Sequence, residues 1–392
     1  MNKLAMLAGG AALLTALALP SAAEEGAVKV GGHMKGPVLT DNVWGKAMVN
    51  GVKSSGGYSA GSYFSTHAFQ LYISKDITEN VSVQAVPDFG SAGAGATPAI
   101  GKRMGETLKD TGGATSFKFQ ELTASMNVTQ LGVQLKAGYM SLPFIQDYGK
   151  ELFWHEEHNG GKFTLANSWH DTGLELYKAF EFAGISMPAS VYVVNGNSSH
   201  NRDNNNSRAV MLHVEPEFGG LKTFASFGTG KWGDAVVLAT GTIINDSSYD
   251  GRKNKTFYRW SAGVGYGYKA FKVRGEVAGG QWDDYLYAGK SYEKNRRDFG
   301  YYGKLFYTVV PEKLTAMLHY NYYVNDAAAS ATSNYVINEK FDTTYLGLQY
   351  EVAPAATFLV GYTNGNWRNN DTPLKKDYVK FQRFQTSVKV TF

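Results

Sequence analysis

The sequence predicts an all-β protein, a transmembrane antiparallel β-barrel of about 16 strands with short periplasmic turns and long extracellular loops. Three observations carry this prediction. The last residues of the chain alternate strictly between apolar and polar side chains, the first residues have the composition of an export signal, and short and long connections alternate between strand-like segments throughout.

The end of the chain provides the clearest strand. Phe384, Val388 and Phe392 fall on one face of an extended segment, and Gln385 and Lys389 fall on the other. A period of two residues is the signature of a strand with one apolar and one polar face. In an outer-membrane barrel the apolar face contacts lipid and the polar face lines the lumen.

The beginning of the chain predicts export. Met1-Asn2-Lys3 is a short basic start, an apolar run follows to Pro20, and Ser21-Ala22-Ala23 is a small-residue cleavage site. We interpret residues 1–23 as a signal peptide and residues 24–392 as a single barrel domain. The alternative is an uncleaved anchor, but the apolar run is shorter than the roughly 20 residues that a spanning helix needs.

The remaining chain divides into hairpins. Strand-like segments joined by short turns are bounded by Gly, Pro, Asn and Asp, and between the hairpins lie longer polar stretches. With an opening strand at 27–35 and a closing strand at 381–392, the predicted strands are 64–74, 81–89, 117–128, 131–141, 171–181, 185–194, 208–215, 221–231, 257–268, 271–281, 298–309, 314–324, 341–352 and 357–367. The long stretches are 36–63, 90–116, 142–170, 195–207, 232–256, 282–297, 325–340 and 368–380. A soluble β-sandwich would not be expected to alternate so regularly.

Composition supports a barrel and excludes several classes. The chain has no cysteine, so it has neither disulfides nor the C-x-x-C-H run of covalent haem attachment. Its 38 Lys and Arg nearly balance 34 Asp and Glu, which gives no reason to expect a nucleic-acid partner. The 25 Tyr, 22 Phe and 45 Gly fit aromatic girdles and glycine-rich sheets in contact with membrane lipid.

Strand register predicts a lumen with a basic bias. In 271–278 the apolar residues would face lipid and the charged ones the lumen, since a charge in lipid costs roughly 2–4 kcal/mol near the midplane. The predicted pore-lining residues are Lys29, His33, Lys35, Lys136, Arg259, Lys272, Arg274, Arg383 and Lys389, against the acids Glu121, Glu175, Glu215, Glu276 and Glu351. Rings of Lys and Arg favour anions. The alternative is that these charges pair across the lumen without selecting ions.

The stretch 142–170 differs from the other long loops because it is rich in aromatic residues. By resemblance to general porins, whose third loop narrows the pore, we expect it to fold into the lumen as a constriction loop. Packing over the extracellular rim is the alternative. Its predicted constriction residues are Asp147, Glu151, Trp154, Glu156 and Glu157.

Two clusters in this stretch suggest other chemistry. His155-Glu156-Glu157-His158 resembles a chelating site, but its histidines are one position too close for the zinc-protease motif. Ser168 lies near His170 and Asp171 without a nucleophile-elbow motif. We therefore predict no metal site, no cofactor and no enzymatic activity.

The two ends of the mature chain carry a family resemblance. Val28-Lys29-Val30-Gly31-Gly32 and Thr386-Ser387-Val388-Lys389-Val390-Thr391-Phe392 are similar to the phosphate-selective porin O/P-like family. The resemblance implies an outer-membrane location and recognition of Phe392 by the barrel assembly machinery. The function expected is passive diffusion of small hydrophilic solutes or ions, with a mild anion preference, and a homotrimer is one expected assembly. The alternative is a porin-like sheath around a multihaem cytochrome partner in an electron-transfer complex.

Overall fold

A computed structural model describes the barrel wall of the protein. The described residues are 27–49, 52–54, 63–65, 68–89, 118–144, 169–196, 207–232, 236–237, 243–244, 255–282, 286–287, 290–291, 296–327, 337–369 and 377–392. They form a closed antiparallel barrel of 16 strands, as the sequence predicts. No helix in these ranges is long and apolar enough to cross a membrane. The predicted signal peptide lies outside the described residues and stays a prediction.

The strands run in chain order around the barrel. They are β1 Lys29–Val49, β2 Ala68–Thr78, β3 Val81–Asp88, β4 Lys118–Val128, β5 Val133–Ser141, β6 His170–Phe182, β7 Ile185–Val194, β8 Ala209–Val214, β9 Leu221–Trp232, β10 Lys255–Tyr268, β11 Phe271–Trp282, β12 Arg296–Val310, β13 Leu314–Ala327, β14 Ile337–Ala353, β15 Ala356–Asn369 and β16 Asp377–Thr391. Short strands Val52–Ser54, Tyr63–Ser65 and Glu217–Phe218 join the same sheet, and two-residue hairpins lie at 236–237 with 243–244 and at 286–287 with 290–291.

The sheet closes where β1 pairs with both β2 and β16. On one edge Lys29 is opposite Ser74, and on the other His33 is opposite Thr391. Gly32 and Phe392 exchange two backbone hydrogen bonds, of 2.8 and 3.0 Å. A Cβ atom on Gly32 would lie 2.5 Å from the backbone carbonyl oxygen of Gln70 and 2.9 Å from the ring of Phe392, so the close approach requires glycine. The terminal aromatic residue is thus part of the closure itself.

The first strand is much longer than the sequence predicts. We expected 27–35 to be strand and 36–63 to be loop, but β1 continues to Val49 along β16. The alternation is hidden because the pairing shifts register twice, between Lys35 and Val38 and between Asp41 and Trp44. Each such irregularity inserts one residue into the pairing and so interrupts a period of two residues.

The hairpin turns agree with the sequence pattern. Positive φ angles mark Ala183 (50°) and Gly184 (76°), Lys269 (53°) and Glu312 (57°), each in a predicted turn. One turn is longer than predicted, since β5 begins at Val133 and the turn extends to Gly132. The long connections at the opposite end of the barrel lie mostly outside the described residues.

The two faces of the wall differ sharply. On β11 the outward side chains Phe271 and Val273 are exposed, whereas inward Glu276 is 4% exposed. The same alternation runs around the barrel, with Leu174, Leu212 and Leu346 among the exposed apolar residues. An apolar outer belt with a polar inner wall is the surface that lipid requires of a closed barrel.

This register predicts the effect of a charge on each face of one strand. Leu318, exposed on the outer face of β13, replaced as Leu318→Arg should reduce the folded yield, since an arginine near the bilayer midplane costs roughly 2–4 kcal/mol. Asn321, on the inner face of the same strand, is the matched control as Asn321→Arg. The measurement is the folded fraction in lipid vesicles, read from heat-dependent gel mobility. Equal yields for the two variants would contradict the register.

Candidate functional site: the inner wall of the barrel

The predicted basic seam at the closure is only partly brought together. Lys35 lies directly opposite Lys389 in the β1–β16 pairing. Arg383 lies farther along β16, opposite Thr363 of β15. Lys29 lies beyond the end of β16 and binds Asp76 at 2.8 Å. The side chains of Lys35 and Arg383 are outside the described residues, so the four residues do not form one described cluster.

His33 belongs to a hydrogen-bonded group of polar side chains rather than to a row of cations. Its Nδ1 atom is 3.2 Å from the hydroxyl of Tyr72, which is 3.4 Å from the Oε1 atom of Gln70. The amides of Gln70 and Gln120 donate to one oxygen of Asp88, at 3.2 and 2.6 Å. This part of the wall therefore presents amides, hydroxyls and a buried carboxylate.

Four cations lie on three neighbouring strands, three of them near one another and the fourth, Arg259, opposite Gly280, six residues along β11 from Arg274. Arg259 is on β10, Lys272 and Arg274 are on β11, and Lys304 is on β12 directly opposite Arg274. We define these four residues as the basic arc. Lys304 is 3% exposed and was not among the predicted pore residues. The sequence does carry a signal for Lys304. Every second residue around it in β12 is apolar and faces outward, so position 304 faces the inside of the barrel.

Aromatic rings hold the cations of the basic arc against the wall. The guanidinium of Arg259 lies 4.9 Å from the ring centre of Trp169 and 5.6 Å from that of Phe257. The ammonium groups of Lys272 and Lys304 lie 5.2 and 5.1 Å from the rings of Phe306 and Tyr302. Such cation–π contacts attract the cations to the faces of the rings and so limit the positions of the long side chains.

Two of the predicted luminal carboxylates, Glu121 and Glu175, lie on the other half of the barrel. Glu121 is on β4 and Lys304 is on β12, so they are eight strand positions apart in a ring of 16, on opposite sides of the barrel. Glu175 on β6 accepts hydrogen bonds from Ser190 and Tyr192, at 2.8 and 2.7 Å. The predicted pore residue Lys136 is 3.4 Å from Glu175 and forms an ion pair with it. Lys136 therefore belongs to the carboxylate half rather than to the basic arc.

Both ends of the stretch 142–170 lie inside the barrel. Leu142, Phe144 and Trp169 are at most 2% exposed, and the Leu142 amide donates to the Trp169 carbonyl at 2.8 Å. Ser226 of β9 donates to the carbonyl of Pro143 at 2.9 Å. Directly opposite Ser226, Ser261 of β10 donates to the carbonyl of Phe144. Two inward serines thus hold consecutive carbonyls where this loop begins.

The predicted constriction residues themselves are not described. Asp147, Glu151, Trp154, Glu156 and Glu157, and the His155–His158 cluster with them, lie outside the described residues. Their placement in the lumen stays a prediction. Among the described residues, no group of three or more His, Cys, Asp or Glu is arranged to hold a metal ion.

Asp171 has a structural role at the end of this loop. It is fully buried, and one carboxylate oxygen accepts from the Trp169 indole at 3.2 Å and from the Gly196 amide at 2.8 Å. The other oxygen accepts from the Thr172 amide at 2.8 Å. These three bonds tie the end of one loop to the beginning of the next, and they account for a residue that the sequence placed near a serine and a histidine.

A second group has the residue types of a hydrolytic triad but different bonding. His213 lies 2.8 Å from the Ser226 hydroxyl and 2.8 Å from Glu215. The Ser226 hydroxyl, however, donates to the Pro143 carbonyl, and Ser226 is 5% exposed. A nucleophilic serine must give its proton to the histidine and reach a substrate. The group instead connects the wall to the loop that begins at Leu142.

Comparison with known proteins identifies the fold. No protein-family model matches the sequence, and no curated protein matches it. Among solved structures, OmpT, an outer membrane protein of Vibrio cholerae, is similar at 14% identity with a TM-score of 0.57, covering 96% of this chain and 100% of that chain. The outer membrane channel DcaP of Acinetobacter baumannii is similar at 12% identity with a TM-score of 0.60, covering 93% of this chain and 97% of that chain.

A third similar structure is the anion-selective porin from Comamonas acidovorans, at 11% identity and a TM-score of 0.53, covering 94% of this chain and 100% of that chain. At these identities the likeness concerns the fold. The chain therefore has the fold of bacterial outer-membrane porins, and its apolar belt agrees with a location in that membrane. Membership of the phosphate-selective O/P-like family stays a prediction.

The bonding of Asp171 predicts a local effect on the loop. Asp171→Asn should weaken the anchoring of the end of the stretch 142–170. At least one of the three N–H groups that donate to Asp171 would then face the NH₂ group of the asparagine instead of an oxygen, which costs about 1–3 kcal/mol. We expect faster proteolytic cleavage within residues 145–168 and unchanged heat-dependent gel mobility of the barrel. Asp76→Asn, at an exposed ion pair, is the control. A cleavage rate equal to that of the unmodified protein would rule out this anchoring role.

Proposed function

We propose that this protein is an outer-membrane channel through which small hydrophilic solutes diffuse, with a preference for anions. The observation that carries the proposal is the closed barrel with an apolar outer belt and a charged inner wall. Barrels of 16–18 strands leave an aqueous channel, whereas small ones are filled by side chains. The similarity to solved outer-membrane channels supports the same conclusion.

The anion preference rests on the basic arc. Arg259, Lys272, Arg274 and Lys304 present four cations on consecutive strands, and among the described side chains Glu276 is an acid on the same stretch of wall. On the opposite half, Glu175 is compensated by Lys136 and two hydroxyls. Cations on the wall of a pore raise the local concentration of anions. One similar barrel is itself described as an anion-selective porin.

The constriction is part of the proposal. Because the stretch 142–170 begins and ends against the inner wall, we propose that its undescribed residues, with Asp147, Glu151, Trp154, Glu156 and Glu157, narrow the lumen. The contacts of Ser226 and Ser261 with the beginning of the loop support this placement. The opposing alternative, packing over the extracellular rim, would not need inward serines as anchors.

The loop contacts also bear on the cytochrome-sheath alternative. A sheath requires a lumen left clear for an inserted partner. Leu142, Phe144 and Trp169 occupy the inner wall instead, which favours the diffusion channel. A homotrimer remains part of the proposal, since one similar OmpT structure is described as a trimer form. The exposed outer belt would then be divided between lipid and neighbouring copies.

Neutralising the basic arc should change ion selectivity. In the double variant Arg274→Gln with Lys304→Gln, the permeability ratio of chloride to potassium should fall about twofold to fivefold, which corresponds to roughly 0.4–1 kcal/mol. The measurement is the reversal potential of the channel in a planar bilayer under a potassium chloride gradient.

Lys313→Gln is the matched control for this experiment, because Lys313 lies in an exposed turn outside the lumen. It removes a positive charge without touching the inner wall. If the double variant kept the ion preference of the unmodified protein, the basic arc would not set the field in the pore.

A further inference from the structure

A row of neutral polar groups without partners crosses the last three strands. Within the described part of the chain, Thr343 on β14, Thr363 on β15 and Gln385 on β16 are at most 2% exposed. Both hydroxyl oxygens, together with the amide nitrogen and the amide oxygen of Gln385, have no hydrogen-bond partner. We define these three residues as the polar row.

Strand pairing places the polar row on one face of the sheet. Thr363 is opposite Tyr345, two residues beyond Thr343, and Gln385 is opposite Gly361, two residues before Thr363. Each member is therefore the diagonal neighbour of the next, with about 7–8 Å between such positions. The buried face of these strands is the inner wall, so the row lines the lumen.

The polar row contains four buried polar atoms that have no hydrogen-bond partner within the described part of the chain. Buried polar atoms nearly always have a hydrogen-bond partner, and a buried polar atom without one destabilises the folded protein. Hydroxyl and amide groups provide both donors and acceptors and carry no charge. The groups that would complete them are the hydroxyls of a solute, which also both donate and accept.

Tyr345 lies beside the polar row in a notch of the wall. Its ring lies over Gly347 and Gly361, which face each other across β14 and β15, and a Cβ atom on either glycine would overlap that ring. The two glycines let the ring lie flat against the sheet. A solute that reaches the polar row would have to lie along the Tyr345 ring or move this ring away from Gly347 and Gly361.

The polar row continues directly into the basic arc. Arg274 is opposite Lys304, Lys304 is opposite His319, and His319 is opposite Tyr345. Two strand spacings, about 10 Å in all, separate β12 from β14. Thr363 on β15 and Gln385 on β16 lie one and two strand spacings farther from the cations. Since lysine and arginine side chains extend several ångströms from the backbone, an extended solute that lies along the wall from β12 towards β16 can contact a cation and the polar row together.

We infer that this part of the wall binds small carboxylates that carry several hydroxyl groups, of the sugar-acid type. The carboxylate interacts with the cations of β11 and β12, and the hydroxyls bond to Thr343, Thr363 and Gln385. The inference rests on the proposed anion-preferring channel and adds the class of solute. Simple inorganic anions would use the cations alone and leave the polar row without partners.

The test uses three ligands that separate the effect of the hydroxyl groups from the effect of the charge. Gluconate and hexanoate have the same six-carbon chain and the same charge, and glucose has hydroxyls without the charge. Each is added to single channels in potassium chloride, and the concentration that halves the chloride conductance is measured. For the unmodified protein, gluconate should act at a lower concentration than hexanoate and glucose.

The double variant Thr363→Val with Gln385→Met removes the hydrogen-bonding groups at nearly constant volume. It should raise the half-blocking concentration of gluconate about threefold to tenfold, the loss expected for one or two neutral hydrogen bonds. That of hexanoate should stay unchanged. Lys304→Gln should weaken both carboxylates. Thr123→Val, a buried inward threonine on β4, is the matched control and should alter neither.

Three results would overturn the inference. They are an unchanged response to gluconate in the double variant, an equal loss for gluconate and hexanoate, and block by glucose as strong as block by gluconate. The reversal potential in potassium chloride alone tests the proposed function separately. If the channel prefers anions but gives any of these three results, the sugar-acid site is wrong and the proposed channel function stands. If the channel shows no anion preference, the proposed function itself is wrong.

Discussion

Closure of the sheet between β1 and β16 is the constraint on which the rest of the structure depends. Lipid offers no partner for backbone N–H and C=O groups, so an open edge would leave a row of unsatisfied groups in the membrane. Gly32 and Phe392 complete the pairing with two hydrogen bonds, and the ring of Phe392 stacks on Phe69 at 6.1 Å. Because the circle is closed, each residue has a defined face, and every inward side chain belongs to one lumen.

The side chains of the inner wall differ in charge and polarity from one side of the lumen to the other. The basic arc, stacked on aromatic rings, lies on β10 to β12, and Glu121 lies eight strands away from Lys304. Between them the beginning of the stretch 142–170 is held by Ser226 and Ser261, and Asp171 holds its end. The polar row lies on the far side of the basic arc. The inner wall therefore places cations beside neutral hydrogen-bonding groups.

The sequence predicts what depends on local periodicity and misses what depends on distant contacts. The alternation of β11 correctly indicates that Phe271 and Val273 face outward. In β1 the two register irregularities interrupt the alternation, so a 21-residue strand looks like a short strand followed by a loop. The anchoring of Phe144 by Ser261 joins positions 117 residues apart, and no local pattern reports it. The unpaired state of Gln385 likewise appears only when three strands are assembled.

The most direct test of the account is the reversal potential of the purified, unmodified protein in a planar bilayer under a potassium chloride gradient. The account predicts stable ohmic channels whose reversal potential has the sign of anion preference. The basic arc would produce this sign, and raising the salt concentration should weaken it through screening. Channels that prefer potassium, or a folded protein that conducts no ions, would contradict the central claim.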